Sequence, residues 1–372
     1  MDAAADWLVD SLRLYRDLHA FELPGPTRVV EWTDNQGVYV AGCESQKRNE
    51  VLHLLLPPKL SAENQGLCPE RDFRVKHGGF SDKPVYNLKH VPETRLLVTS
   101  GLPGNSLQIW QVEEDSDMIK AVSTIALHGA KSNLWPKIDV VISEVPKVLH
   151  GSRVSDLDIT ELESQKTLCL SGGNDNEEEI SSLQVLDADT FFFCSASGQL
   201  GLVDIRQKLG DSKRTASSPG PGGEWWCASV QTSGKGSGLI ASLSSSGQLQ
   251  LTDLRDLDHP VTTVQCPVSM PSPDWGLLRV TWAPSLEGCL AISGFDGTVQ
   301  IYDTTSWERN GSHVEPIFIH KGHLFMDGTE RDMLSLVTTH SWHPSKPRTL
   351  LSAAADASLH VWDWVDACRC SS

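Results

Sequence analysis

One unit recurs along this chain, and it limits the fold more than any single motif does. Each copy has small and β-branched apolar residues, a Gly/Asp/Ser turn, then alternating apolar residues ending near an aspartate. The clearest copy covers 350–363, turns at Asp356 and ends on Trp362 and Asp363. The copy before it covers 289–303, turns at Asp296 and Gly297, and ends on Tyr302 and Asp303. Earlier copies end at Asp253 and Asp204, and three weaker ones lie at 38–54, 96–110 and 148–162. From Gln111 through Glu161, Asp204, Asp253 and Asp303 to Asp363 the spacings are 50, 43, 49, 50 and 60 residues. Seven units in 372 residues average about 53 each, above the ~40–45 of a four-stranded propeller blade, which leaves length for loops.

Each copy reads as a β-hairpin: the period is two, and Asp296-Gly297 suits a turn whose central residues take positive φ. A further strand precedes each hairpin, at 28–32, 86–92, 138–142, 183–186, 225–230, 279–284 and 339–344. Fourth strands show at 121–127, 261–266 and 315–319. Three or four antiparallel strands repeated seven times, with no long helix between them, predict an all-β, seven-bladed β-propeller rather than a pair of sandwiches.

The ends complete the picture. Only nine residues follow Asp363, too few for a turn and a full outer strand, so closure needs a strand from the N-terminal segment. Residues 20–23, stopped by Pro24-Gly25-Pro26, are the donor, because an open blade edge would offer unpaired backbone to other chains. Ahead of it, Trp7, Leu8, Leu12, Tyr15 and Leu18 fall on one face of a helix. That face either packs on the rim or docks a partner. The predicted organisation is one domain, 1–372, with a helix at 1–18 and a closing strand at 19–26.

Composition narrows the function. There are 31 basic and 48 acidic residues, a net charge of −17, and no basic run, so phosphate-gripping nucleic-acid binding is not expected. A cluster assembled from distant segments escapes that test. The apolar stretches 51–58 and 191–196 fall far short of the ~20 residues a membrane helix needs. The first residues are acidic where a secretion signal is basic. Nine cysteines without a C-x-x-C read as reduced thiols of the cytosol or nucleus, where the Asn310-Gly311-Ser312 triplet has no role.

The Trp362-Asp363 ending, its Tyr302-Asp303 variant, the Asp-Gly turn and the Gly322-His323 dipeptide resemble the WD40-repeat family. The resemblance spans nearly the whole chain, with tight matches in the last two units. It implies a buried hydrogen-bond network in which His323, Asp356 and Trp362 take part, with Asp296, Asp303 and Asp363 at matching repeat positions. A finer resemblance, to one non-catalytic cytoplasmic branch of the family, rests on residues 6–9, 11–15, 77–82, 97–104, 182–190 and 357–366. It implies a factor that assists assembly of the RNA endonuclease module of the Integrator complex, and an association with the spindle and its poles.

No motif specifies an enzyme. There is no Gly-x-Ser-x-Gly elbow and no phosphate-cradling Gly-rich loop. His320, His323 and Asp327 look like metal ligands, yet His323 already has its repeat role, and His340 and His343 point apart on a strand. The pairs Asp115/Asp117 and Asp187/Asp189 read as solvated turns. No cofactor and no metal are expected. Asp204-Ile205-Arg206 and Asp253-Leu254-Arg255 resemble the adaptor-docking motif of propeller receptors in cullin ubiquitin ligases, although Val203 and Thr252 stand where those receptors carry Trp or Tyr.

A rigid ring leaves its loops to carry function. Trp135, Trp275, Phe325 and Met326 lie in or beside loops and are the candidate partner anchors. Residues 211–224, rich in Ser, Pro and Gly, read as a mobile connection, and 172–179 as an acidic loop. The sequence thus predicts a monomeric, non-catalytic protein-interaction scaffold within a hetero-complex. Its acidic surface would engage a basic partner face, such as the RNA-binding side of a nuclease.

Overall fold

A computed structural model describes residues 7, 13–57, 72–127, 133–170, 177–206, 213–215, 223–232, 238–268, 272–307, 313–325 and 335–365. Twenty-eight strands form seven four-stranded antiparallel sheets, each a blade. Strand β1 (Tyr15–Glu22) belongs to the last blade. The first blade holds β2 (Thr27–Trp32), β3 (Gly37–Gly42), β4 (Asn49–Leu55) and β5 (Arg74–Ser81). The second holds β6 (Asn87–His90), β7 (Leu96–Ser100), β8 (Ser106–Val112) and β9 (Ile119–Ala126). The third holds β10 (Lys137–Val141), β11 (Lys147–Gly151), β12 (Asp158–Glu161) and β13 (Thr167–Cys169). The fourth holds β14 (Ile180–Val185), β15 (Thr190–Ser195), β16 (Leu200–Asp204) and β17 (Lys213–Thr215). The fifth holds β18 (Trp226–Val230), β19 (Leu239–Ser244), β20 (Gln248–Asp253) and β21 (Asp256–Gln265). The sixth holds β22 (Arg279–Trp282), β23 (Cys289–Ser293), β24 (Val299–Asp303) and β25 (Phe318–His320). The seventh holds β26 (Val337–Trp342), β27 (Thr349–Ala354) and β28 (Ser358–Trp364), with β1 as its outer edge.

The burial of each strand follows from its place in the blade. Second strands lie between two neighbouring blades and are apolar almost throughout: β27 is buried along its whole length, and β3 is buried at all but its last residue. Outer strands meet water, and β5 and β9 bury only a quarter of their residues. The core is therefore not one mass. Seven apolar clusters form seven seams, each shared by two adjacent blades. Leu351, Ala353 and Val361 of the last blade pack on Val38 and Val40 of the first, so the ring is closed.

Closure is made by β1, which pairs with β28 from Tyr15↔Trp364 to Glu22↔Ser358, with one bulge between Tyr15 and Asp17. The paired stretch starts earlier than the sequence indicated: residues 15–18, assigned above to the helix, are strand. A ladder with β28 satisfies their backbone groups, and it wins over the local period that favoured a helix. Trp7 packs on the seam between the sixth and seventh blades and lies edge-on to Tyr15 at 6.4 Å. Leu8 and Leu12 lie outside the described residues, and so do Met326, Asp327 and most of 211–224. Within that last stretch β17 supplies the fourth strand of its blade, where the composition pointed to an unstructured connection. Among the described residues, no helix is long and apolar enough to cross a membrane.

Candidate functional site

Two places in the ring bury polar chemistry, and they differ in how it is satisfied. The first lies at the seventh blade. His323 sits in the short helical turn Gly322–Phe325 and reaches Ser352 Oγ with Nε2 (2.8 Å) and Ser358 Oγ with Nδ1 (2.7 Å). Trp362 Nε1 donates to Ser352 Oγ at 3.1 Å, and Ser358 Oγ donates to Asp356 at 2.6 Å. The donors run in one direction: indole to Ser352, Ser352 to His323 Nε2, His323 Nδ1 to Ser358, Ser358 to Asp356. A neutral imidazole protonated on Nδ1 satisfies every member. Asp356 therefore reaches His323 through Ser358 rather than directly. Asp296 caps Thr298 in the same way in the sixth blade, and Asp303 caps the turn at Thr305. Asp363, half-buried at the end of β28, is pushed up to about 6 by burial. In the second blade the indole–hydroxyl bond recurs between Trp110 and Thr99 at 2.8 Å, without a histidine.

Beside this network His320, His323 and His360 bring their ring nitrogens within 4.8 Å of one another, all buried. The geometry opposes a shared ion. The rings of His323 and His360 are stacked, 3.8 Å apart and 5° from parallel, so their in-plane lone pairs run side by side and do not converge. The cluster is instead a relay to the closing strand. The Tyr15 hydroxyl of β1 meets His320 Nδ1 at 2.8 Å. His320 Nε2 then meets His360 Nδ1 at 3.1 Å. Burial holds all three histidines below the ordinary imidazole range, His360 at about 4. His340 and His343 diverge: His340 bridges Thr281 and Ser293 of the sixth blade, and His343 reaches Asn35 of the first.

The second place is one mouth of the axial channel. Innermost strands β2, β6, β10, β14, β18 and β22 all begin at this end, and residues at their starts line a cavity of about 450 Å³. The side chains are Arg28, Tyr86, Trp135, Lys137 and Arg279, with Gly276 between them. Asp274 builds much of it. Its carboxylate accepts from the Gly276 amide, fixing the turn Trp275–Leu277, and pairs with Arg28 at 2.9 Å. Arg28 also lies 4.8 Å from the centre of the Tyr86 ring, which meets Trp135 edge-on. Trp275 stacks on Trp225 at 6.0 Å and remains half exposed. Two of the anchors read from the sequence, Trp135 and Trp275, thus come to one mouth. Phe325 lies in the turn carrying His323, but its side chain is outside the described residues, as is Met326.

Lys137 and Arg279 set the electrostatics. Lys137 Nζ stands 3.9 Å over the Trp135 ring, and among the described residues no carboxylate lies within ion-pair distance of it. Burial pushes its ammonium down to about 8, with Arg279 and Arg28 adding repulsion against the attraction of Glu179 and Asp274. Arg279 donates one Nη to the Arg28 carbonyl at 2.8 Å, while its buried Nε has no partner among the described residues. Deeper in the channel Lys89 lies between Asp139 (3.3 Å) and Glu31 (3.9 Å) and is fully committed. These cations escaped the sequence reading because Arg28 and Arg279 are 251 residues apart. A signal existed: Lys137 and Arg279 open their strands and Arg28 is second in its own.

At the opposite end, where the third strands stop, Arg206 and Arg255 each fold onto their own aspartate. Arg206 grips Asp204 through Nε (2.8 Å) and Nη2 (2.6 Å), and Arg255 grips Asp253 through Nε (3.0 Å) and Nη2 (2.6 Å). These pairs hold both carboxyls down to about 2.

No family model matches the chain. Curated relatives match it along its length. It is 63% identical over 376 residues to the Homo sapiens protein named Integrator complex assembly factor WDR73, with 99% of each chain covered. The Mus musculus protein of that name is 61% identical, over 98% of this chain and 99% of its own. The Xenopus laevis protein is 44% identical, over 96% and 98%. With a propeller whose polar groups are arranged for packing and binding, the chain is a non-catalytic protein-interaction scaffold. It belongs to the WDR73 family of WD-repeat propellers.

Proposed function

We propose that this chain assists assembly of the RNA endonuclease module of the Integrator complex in the cytoplasm, holding a basic face of a module subunit until the partners are joined. The observation that carries the reading is identity of 63% over 99% of a protein named as an Integrator assembly factor. The formal charge of −17 supports it, since an acidic ring speeds encounter with a basic face and disfavours wrong partners. An association with the spindle and its poles belongs to the same proposal, read by imaging the tagged chain in dividing cells.

The test is recovery of the tagged full chain from cytoplasmic extract at rising salt, with assembled endonuclease module measured in cells depleted of the chain. Expected are co-recovered module subunits, weaker recovery as salt rises and less assembled module after depletion. Normal module levels without the chain, or association indifferent to ionic strength, would sink the reading. Arg206→Ala and Arg255→Ala should leave recovery unchanged, because both guanidiniums are engaged on their own aspartates.

A further inference from the structure

The mouth of the axial channel gathers positive charge in a chain whose formal net charge is −17. Lys137 has only the Trp135 face and distant carboxylates, and Arg279 buries an Nε without an acceptor. A charged donor without an acceptor is costly to hold away from water. Arg28 is already held by Asp274 and the Tyr86 ring, so the open demand at the recess belongs to Lys137, with the Arg279 guanidinium lining the recess beside it. Both line the same recess of about 450 Å³.

We propose that this recess receives the side-chain carboxylate of an Asp or Glu in a peptide segment of a protein partner. The carboxylate takes charge-assisted hydrogen bonds from the Lys137 ammonium and the Arg279 guanidinium. Apolar neighbours in the segment lie against Trp135 and the Trp225–Trp275 stack. Asn87, Ser181 and Ser229 line the recess and offer polar groups to the peptide backbone. The chain's negative field selects a peptide over a nucleic acid: it repels a polyanion, whereas one carboxylate in an otherwise neutral or basic segment meets its complement in the recess. The inference goes beyond the assembly reading and holds for whichever complex the ring serves.

The test uses the full chain and its tryptophan fluorescence. Probes are eight-residue peptides, acetylated and amidated, carrying one central Asp or Glu among apolar and basic residues. Their Asn or Gln counterparts and inorganic phosphate are the controls. The acidic peptides should saturate and bind at least tenfold more tightly than the amide peptides. Lys137→Met should lose at least tenfold and Lys137→Arg should retain binding. Gly276→Leu gives an independent arm, because a Cβ there already meets Trp135 at 3.2 Å and Arg28 at 3.3 Å, so a larger side chain closes the recess and removes no charge. Affinity of the natural protein should fall as pH rises above about 8, as the free Lys137 loses its proton against Glu179 and Asp274 on one side and Arg28 and Arg279 on the other. In the Lys137→Arg protein that fall should vanish. Equal binding of acidic and amide peptides, binding of phosphate alone, no binding by any probe, or wild-type affinity in folded Lys137→Met would overturn the proposal.

Discussion

The seventh blade and the mouth of the axial channel both bury polar side chains, and they do so to opposite ends. In the blade, Trp362, Ser352, His323, Ser358 and Asp356 form a chain in which each donor has an acceptor. At the mouth, burial works against the charge on Lys137 and Arg279, and among the described residues no carboxylate lies within ion-pair distance of either. A satisfied network holds a fold in one arrangement. An unsatisfied one lowers stability unless something outside the chain completes it, and at the mouth the recess leaves room for that. Aromatic rings occur at both, but burial keeps the blade's histidines neutral while the mouth carries Lys137 and Arg279.

Breaking the blade should cost most. Deleting residues 1–26 removes β1 and opens the edge of β28, so a cooperative thermal transition should be lost or displaced further than by any single substitution. Unchanged melting would refute closure by β1. Within the blade, Trp362→Ala should cost about 3–5 kcal/mol in denaturant unfolding, from the cavity and the donor it strips from Ser352.

Acid should act next. Buried histidines His150, His340 and His360 are held at about 4, 3 and 4, below the ordinary value of 6.5. A group depressed on folding stabilises fully above its unfolded pKa, and that stability drains away between the unfolded and folded values. Stability should therefore fall as pH drops below about 6.5, each such histidine adding up to about 1.4 kcal/mol per pH unit. Asp363, raised on folding, works the other way and offsets part of it. The smallest effect sharpens the contrast: Lys137→Met should leave the free protein as stable as before, or up to about 1 kcal/mol more stable, since it removes an unanswered buried charge. A clear loss of stability in that variant would place Lys137 with the structural residues.

Much of the ring was legible because its third strands repeat. The positions read as unit ends at Glu161, Asp204, Asp253 and Asp303 are the last residues of β12, β16, β20 and β24. Outer strands β5, β13 and β17 were not read, since an edge facing water needs no apolar alternation and leaves none in the sequence. Residues 15–18 misled for a related reason: Tyr15 and Leu18 fit a helical face, and their strand pairing depends on β28, more than 340 residues away. The blade network was visible at His323, Asp356 and Trp362, while Ser352 and Ser358, common residues in common places, gave no signal. At the mouth, the tryptophans stood out by rarity and the cations did not.

The seventh blade joins β1 to β26, β27 and β28, which lie more than 300 residues further along the chain. Until residues 337–364 have been synthesised, β1 has no ladder to enter, and Val38 and Val40 on the first blade have no Leu351 or Val361 to cover them. The nascent chain must therefore carry an unfinished horseshoe, with one raw face at each end, from the emergence of the first blade until β26–β28 follow. Those raw faces are open to chaperones and to misassembly until the last blade arrives.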